Sequence, residues 1–258
     1  MEALIGPSKY FESIILDEEK RKIFEQCWIF VGTKKDYENS NDFKTFIIGD
    51  TPIVVQKMKG SIKAFRNVCS HRHSIIQVAK SGNRPLMCPY HGWAYNDKGK
   101  PIGIPKKPYF DLSKTDLECL MLKEYPVEYC GNLVFTRINT NHNLTNLKSY
   151  LGEFYDELEA ASLQFDEKVD ENQMEIKANW KILVENTLES YHVQLVHNET
   201  FQKLGAKGLN FQFAKLHSKW EAELDLKENE GKQGKINQNY NERAYKIPGY
   251  NHILIFPN

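Results

Sequence analysis

Two short stretches of this sequence each place a cysteine close to a histidine. Cys69 and His71 are separated by one residue in "CSHRH", and Cys88 and His91 are separated by two residues in "CPYHGW". Thiolates and imidazoles are ligands that proteins offer to zinc and to iron. Zinc fingers usually group the cysteines before the histidines, whereas here the two types alternate. An alternating order lets each stretch supply one ligand to each of two metals, so a two-metal centre and a structural zinc site both remain open.

The composition argues against several classes of function and favours free thiols. Lys and Arg total 34, as do Asp and Glu, so the net charge gives no indication of a nucleic-acid or membrane partner. No apolar run approaches the length of a membrane-spanning helix, and the N-terminus lacks a basic and then apolar signal. The five cysteines do not form a dense disulfide framework. We therefore expect a cytoplasmic protein in which Cys69 and Cys88 serve as metal ligands.

The elements that must position these residues change character along the chain. Residues 17–27 have a helical pattern, and short runs rich in β-branched and aromatic residues follow from Phe43 to Ile138. Beyond the polar stretch 139–146 the patterns are mixed, with a strand expected in "QMEIKANWKI" and a helix in "ILVENTLESYHVQLVH". The sequence thus predicts an α+β protein with a helical N-terminal segment (1–40), a small antiparallel β domain (41–138) and an α+β domain (139–258).

A second constellation lies in that last helical pattern. Glu189, His192 and His197 follow the spacing E-x2-H-x4-H. Glu189 and His192 are three residues apart and share one face of a helix. His192 and His197 would lie about 140° apart around a regular helix, so both could bind one ion only at a widened turn or a helix end. Taken alone, the spacing also fits the surface of an amphipathic helix.

Residues 43–138 resemble the Rieske family, including the Pro-Tyr inside the second loop and the Gly-Trp after it. The resemblance implies one [2Fe–2S] cluster, with Cys69 and Cys88 on one iron and His71 and His91 on the other. Rieske proteins of respiratory complexes carry an extra cysteine in each loop, and this sequence has none there. It is therefore similar to the soluble oxygenase or ferredoxin subtype.

The second constellation resembles the mononuclear-iron segment of Rieske non-haem iron oxygenases. That resemblance implies a mononuclear Fe(II) bound by His192 and His197. It also places Asn186 and Glu189 in the catalytic site, with Glu189 as the carboxylate that bridges this iron to the Rieske cluster of a neighbouring subunit. Most members have Asp at the bridging position, and Glu there hints at a small amine substrate.

The third iron ligand of that family is a downstream Asp, and this sequence has no clear counterpart for it. Asp225 follows the histidines but lies in the strand-like stretch "AELDLK", and the sequence ends at Asn258. We therefore expect only the N-terminal part of a helix-grip-like catalytic domain. Turnover by this chain alone is then in doubt.

The resemblance implies the α-subunit of a Rieske oxygenase, either a mono- or a dioxygenase. Such a subunit takes electrons from a flavin-dependent reductase or a ferredoxin and uses O2 to hydroxylate or dealkylate a small organic substrate. Because the bridge joins neighbouring subunits head to tail, a homotrimer is expected. The alternative is a Rieske-type electron-transfer protein whose second domain is vestigial and iron-free. A zinc-stabilised binding module is the third possibility.

Overall fold

The chain forms two compact units, which we describe separately. One spans Asp17–Leu147, and the other combines Met1–Leu16 with Lys148–Asn258. These divisions differ from the predicted ones at 40 and 138 because strand Ile29–Thr33 pairs with a strand near the end of the β domain. The predicted domain ranges 1–40, 41–138 and 139–258 remain a prediction. The computed structural model describes residues 5–141, 145–165, 168, 171, 173–199, 207–223 and 250–258.

The first unit is built almost wholly from antiparallel strands. They form a five-stranded sheet in the order β5-β2-β3-β4-β8, a three-stranded sheet in the order β1-β10-β9, and the pair β6-β7. This arrangement confirms the predicted small antiparallel β domain. The strands are β1 (Ile29–Thr33), β2 (Asp42–Ile48), β3 (Thr51–Met58), β4 (Ser61–Arg66), β5 (Ser81–Asn83), β6 (Ala94–Tyr95), β7 (Pro101–Gly103), β8 (Glu124–Tyr125), β9 (Val127–Cys130) and β10 (Leu133–Thr136).

Helices are short in the first unit and more frequent in the second. The predicted helix over 17–27 is instead the end of an α-helix that continues as a π-helical turn, Lys20–Phe24. The α-helices are α1 (Ser8–Phe11), α2 (Ser13–Glu19), α3 (Lys114–Cys119), α4 (Leu147–Leu151), α5 (Tyr155–Ser162), α6 (Trp180–Thr187) and α7 (Val193–Val196). The 3-10 turns are Lys34–Tyr37, Lys107–Tyr109 and Gly152–Phe154.

One apolar core of the first unit lies directly around the two Cys/His loops. Phe65, Leu86 and Trp93 are buried there together with both loop cysteines, Cys69 and Cys88. Complete burial of a large apolar side chain stabilises a fold by about 1.5–3 kcal/mol. The loops are therefore fixed by the same packing that holds the sheet together.

A buried amide network joins the bases of the two loops. Asn67 Nδ2 donates to the Gln77 carbonyl oxygen, and the Gln77 backbone N–H donates to Asn67 Oδ1, both at 2.8 Å. Gln77 Nε2 lies 3.2 Å from the Pro85 carbonyl oxygen and 3.3 Å from Gln56 Oε1. Buried polar groups need such partners, since leaving one unpaired costs about 1–3 kcal/mol. The network ties the end of the first loop to the start of the second.

The second unit contains a three-stranded antiparallel sheet and the helices that carry the second constellation. The sheet order is β11-β12-β13, formed by Lys207–Ala214, His217–Glu223 and Tyr250–Leu254. Residues 173–179 include no strand where they are described, so the strand expected in that stretch was wrong. Within the described residues, no helix has the length and apolar character needed to cross a membrane. Helices and strands of both units together confirm the α+β class.

Candidate metal centres

The two Cys/His loops of the first unit share one backbone geometry. In each, the cysteine N–H donates to the carbonyl oxygen five residues further on, at 2.8 Å for both Cys69 and Cys88. Four residues after each cysteine the backbone turns into the left-handed region, with a φ of 55° at His73 and 72° at Gly92. Glycine adopts this region freely, whereas another residue does so only where the surrounding structure demands it. The two loops therefore share one backbone conformation, and each presents one cysteine and one histidine.

Both loop cysteines are free thiols that lie in the core. Cys69 is 1% exposed and Cys88 is 2% exposed. Burial raises the pKa of the Cys69 thiol, and the neighbouring Cys88 raises it further. Two buried thiols in contact oppose each other's ionisation, and a bound cation removes that opposition. This environment fits a metal centre better than a pair of inert core residues.

Hydrogen-bond donors surround the Cys69 sulfur. The Tyr95 hydroxyl lies 3.0 Å from Cys69 Sγ, and the backbone N–H of His71 also points at this sulfur. Both contacts lower the pKa of Cys69, because they stabilise the thiolate. Hydrogen bonds of this kind to ligand sulfurs are one means by which proteins tune iron–sulfur clusters. Tyr95 belongs to no pattern singled out in the sequence.

The two loop histidines lie together at the surface. The ring centroids of His71 and His91 are 4.7 Å apart. His91 is exposed and His71 is half-buried. The structure thus brings together two buried thiols and two accessible imidazoles, which is the ligand set of a Rieske cluster.

The arrangement distinguishes a cluster from a single zinc ion. A structural zinc site requires four protein ligands around one point. In the part of the chain that the structure describes, no three His, Cys, Asp or Glu side chains are placed to hold one ion. A [2Fe–2S] cluster needs no such set, because each iron takes two protein ligands and shares two sulfides. The geometry therefore favours the cluster over zinc.

The second constellation lies where a helix breaks. A single helix was predicted, but α6 ends at Thr187 and the short helix α7 begins only at Val193. The Glu189 carboxylate causes this difference, since it accepts the backbone N–H groups of Tyr191 and, at 3.3 Å, of His192. A side chain that binds backbone groups in this way competes with continuation of the helix. Glu189 therefore holds the turn that separates α6 from α7.

The two histidines flank the short helix α7, so each lies at a helix end, as their spacing requires if both are to bind one ion. The ring centroids of His192 and His197 are 5.4 Å apart, with His197 at the end of α7. Glu189 Oε1 contacts His192 Nδ1, and this hydrogen bond lowers the pKa of the Glu189 carboxyl. Asn186 Nδ2 lies 3.4 Å from His192 Nε2. When the carboxylate accepts the Nδ1 proton, Nε2 keeps a lone pair for a metal.

These residues line a cavity of about 170 Å³. Its wall also includes residues that the sequence did not indicate, above all Trp220 and His252. Both lie on strands. Side chains alternate along a strand in the same way whether they face a cavity or the core, so the pattern could not single these two out. The lining residues are Asn186, Thr187, Glu189, Ser190, His192, Val193, His197, Gly208, Trp220 and His252.

Trp220 and His252 form an ordered part of that wall. Their residues pair across β12 and β13, and their rings are stacked with centroids 5.1 Å apart. Trp220 Nε1–H donates to the carbonyl oxygen of Thr187 at 3.2 Å, which fixes the indole against the end of α6. Burial lowers the pKa of His252, so its ring is neutral at pH 7. The cavity therefore combines three imidazoles with one carboxylate.

The donor set of this cavity fits a mononuclear iron in part. Two imidazoles of the 2-His-1-carboxylate arrangement are present, and Glu189 is engaged with His192. Among the described residues no third ligand completes the set. Asp225 lies outside the described residues.

Comparison with known families gives two matches. Residues 27–126 match the model described as the Rieske [2Fe-2S] domain. Residues 164–258 match the model described as the catalytic domain of the ring-hydroxylating alpha subunit. Together these two domains imply a Rieske cluster and a mononuclear iron.

Curated relatives point the same way. The glycine betaine monooxygenase oxygenase subunit of Chromohalobacter salexigens is 32% identical over 72% of this chain and 41% of its own length. The carnitine monooxygenase oxygenase subunit of Escherichia coli is 31% identical over 76% of this chain and 53% of its own. The anthranilate 1,2-dioxygenase large subunit of Acinetobacter baylyi is 29% identical over 75% and 42%. The chain thus spans about half the length of the curated relatives it matches.

Solved structures share the fold. Naphthalene 1,2-dioxygenase from Rhodococcus sp. has a TM-score of 0.78 at 22% identity, covering 95% of this chain and 61% of that one. A quaternary ammonium Rieske monooxygenase, described with inter-subunit electron transfer, has a TM-score of 0.74 at 24% identity, covering 84% and 60%. The antiparallel β domain followed by part of a catalytic domain therefore matches what the sequence predicted.

Proposed function

Because this chain belongs to the α-subunits of the Rieske non-haem iron oxygenases, we propose that it uses O2 to hydroxylate or dealkylate a small organic substrate. Its electrons come from a flavin-dependent reductase or a ferredoxin. The observation that carries the proposal is that His192 and His197 line one cavity and that the Glu189 carboxylate is hydrogen-bonded to His192 Nδ1. An electron carrier with a vestigial second domain has no need of this arrangement.

Cys69 and Cys88 bind one iron of the [2Fe–2S] cluster in this proposal, and His71 and His91 bind the other. When bound, the cluster supplies one-electron transfer. The protein contributes the burial of the thiolates and the hydrogen bond from the Tyr95 hydroxyl to Cys69 Sγ. It leaves the imidazoles at the surface, where a donor can reach them.

His192 and His197 bind the mononuclear iron, which when bound supplies the site of O2 activation. Glu189 orients the His192 ring through Nδ1 and keeps Nε2 available for the metal. The Asn186 Nδ2 atom lies 3.4 Å from that nitrogen and would be a polar neighbour of a bound metal. The third protein ligand of the family pattern has no candidate in the described ranges.

Glu189 is proposed to bridge the two centres across a subunit contact. One of its oxygens contacts the His192 ring and the other accepts two backbone N–H groups, yet the side chain is 45% exposed, so the carboxylate remains accessible to an imidazole of a second copy, such as His91. Exposed apolar residues flank it, with Tyr191 at 92% and Leu195 at 83% exposure. Such a patch is typical of a surface covered by another protein. A contact between unlike faces of identical subunits forms a ring when its rotation closes, and a ring of three subunits, a homotrimer, is our proposal.

The cavity favours an uncharged or cationic substrate group next to the iron. Its charged group is Glu189, burial keeps His252 neutral, and the lining residues within the described part of the chain include neither Lys nor Arg. A substrate carboxylate or sulfonate would find no charge partner among them. Relatives named for glycine betaine and for carnitine act on compounds that carry a cationic nitrogen as well as a carboxylate, and the cationic end is the one that suits this part of the cavity. A small amine is therefore the first substrate to test.

Iron quantification with low-temperature EPR of the dithionite-reduced protein tests the proposal. An oxygenase holds about three irons per chain, two in the cluster and one mononuclear. The electron carrier holds about two with the same EPR signal. The matched variants are His197→Ala, which we expect to lose only the mononuclear iron, and His73→Asn, which we expect to lose none. A colourless protein that contains zinc would contradict both readings.

A further inference from the structure

The two loop histidines have unlike surroundings. The His71 ring lies parallel to the Trp93 indole, with centroids 4.9 Å apart and an interplanar angle of 4°. Phe110 meets both rings edge-on, 5.7 Å from His71 and 5.8 Å from Trp93. His91 instead contacts Tyr90, which is itself 59% exposed. One imidazole is therefore half-buried against two aromatic rings, of which Phe110 is 38% exposed, and the other is open to solvent on its outer side.

Residues 104–112, here called the clamp segment, hold Phe110 in this place. Ile104 and Leu112 at its ends pack against the core that contains the loop cysteines. Between them the backbone enters the left-handed region twice, with a φ of 56° at Lys106 and 43° at Asp111. Such residues cost free energy and persist only where the rest of the structure imposes them. The segment is therefore fixed at both ends and shaped to deliver Phe110.

The clamp segment also touches the second loop. A Cβ atom on Gly92 would lie 3.2 Å from Pro105 Cγ, so the segment packs closely on the turn that carries His91. Phe110 covers the first loop and Pro105 covers the second. Because Trp93 is 3% exposed and follows directly after that turn, the enclosure of His71 depends on both loops.

We propose that Trp93 and Phe110 are positioning residues for the His71 imidazole, and that the clamp segment thereby sets the reduction potential of the cluster. This inference rests on the proposed function, since it requires His71 to be an iron ligand. Stacking fixes the plane of the ring around the iron–nitrogen axis. Aromatic burial also keeps water from one side of the cluster.

The expected direction follows from charge. Two ferric ions, two sulfides and two thiolates sum to zero, so the one electron supplied by a reductant makes the unit an anion. Water stabilises an anion more than an apolar wall does, so the wall disfavours the reduced state. Removing the wall should therefore raise the potential. Changing the ring plane should alter the magnetic coupling of that histidine nitrogen alone.

The experiment compares four variants of the full chain, Trp93→Leu, Trp93→Phe, Phe110→Ala and Tyr109→Ala. Tyr109 is the matched control, because it precedes Phe110 in the same segment and is 84% exposed. The readouts are the midpoint potential from dithionite titration and the histidine nitrogen couplings from pulsed EPR. We expect W93L and F110A to raise the potential and to change one set of couplings. We expect Y109A to match the parent protein. W93F keeps an aromatic ring beside His71, so its potential and couplings should stay close to those of the parent protein.

Each other outcome overturns the inference. Unchanged potential and couplings in a cluster-loaded W93L or F110A protein would show that the enclosure has no influence on His71. Loss of the cluster from both variants, with Y109A intact, would show that the segment only keeps the loops folded. Absence of a Rieske signal from the parent protein would instead mean that the proposed function has failed, and the inference with it.

Discussion

The Cys/His loops of the first unit and the His192–His197 site of the second differ in what surrounds their proposed ligands. The loop cysteines are 1% and 2% exposed and rest on a core and a buried amide network. The His192 side chain is 24% exposed, and its nearest support is Glu189, which is 45% exposed. Buried and doubly anchored side chains keep their geometry without a metal, whereas those at a helix break owe more of it to the metal. The cysteine half of the proposed cluster site is therefore more preorganised than the His192–His197 site.

The largest effect should come from Cys88→Ser. A buried hydroxyl cannot replace a thiolate on iron, so we expect complete loss of the Rieske EPR signal and of about two irons per chain. Cys119→Ser, at an exposed free thiol, is the control and should change neither measurement. If C88S kept its cluster signal, the assignment of the second loop would be wrong.

Next in size is His192→Ala, which acts on the less preorganised site. We expect the mononuclear iron to be lost and the EPR signal of the cluster to be unchanged, because the two sites lie in separate compact units. Iron content should fall from about three to about two per chain, and substrate-dependent O2 consumption should cease. Loss of the cluster as well would show that the two centres depend on each other, against the comparison drawn here.

A smaller effect is expected from Gln77→Leu, which tests the amide network below the loops. The change removes the partner of Gln56 Oε1 and of the Pro85 carbonyl oxygen. We expect a loss of about 1–3 kcal/mol in the free energy of unfolding and faster release of the cluster on mild heating. Gln26→Leu, at an exposed glutamine of the same unit, should cost less than half as much. Equal effects of the two variants would show that the amide network stabilises the loops no more than an exposed glutamine does.

The smallest effect should follow Asn179→Ala, at the N-cap of α6. The Asn179 side chain accepts the Lys181 backbone N–H at 3.0 Å and donates to the Tyr10 carbonyl oxygen at 2.9 Å. Removing such a cap costs about 0.5–2 kcal/mol. Chemical denaturation should show that cost, and Asn179→Asp should recover most of it because it keeps the acceptor. Only the second unit should respond.

The sequence indicated the proposed metal centres because their residues lie close together along the chain. Cys69 and His71 belong to one loop, and the pattern that links Glu189 to His197 spans nine residues. The position of the break between α6 and α7 was not foreseen, since it depends on where the Glu189 carboxylate points. Trp220 and His252 were missed because only the pairing of β12 with β13 brings them to the cavity.

The same reasoning explains what was missed around the cluster. Tyr95 lies 26 residues after Cys69, and no spacing rule connects them before the loops fold. Glutamine is mostly a surface residue, so the sequence gives no reason to place Gln77 and Gln56 in the interior. They are buried because carbonyl oxygens around them accept their hydrogen bonds. Local motifs can be read from a sequence, whereas contacts between distant polar groups require the structure.

In the proposed cluster, buried thiols and exposed imidazoles would also decide the route of electrons. Apolar packing around Cys69 and Cys88 would insulate one side of the cluster, whereas the edge near His91 is exposed. Any protein that charges or discharges the cluster by the shortest path must make contact at that edge. The electron donor and the electron acceptor would therefore bind at the same surface. The residues around His91 would then determine the order in which the two bind.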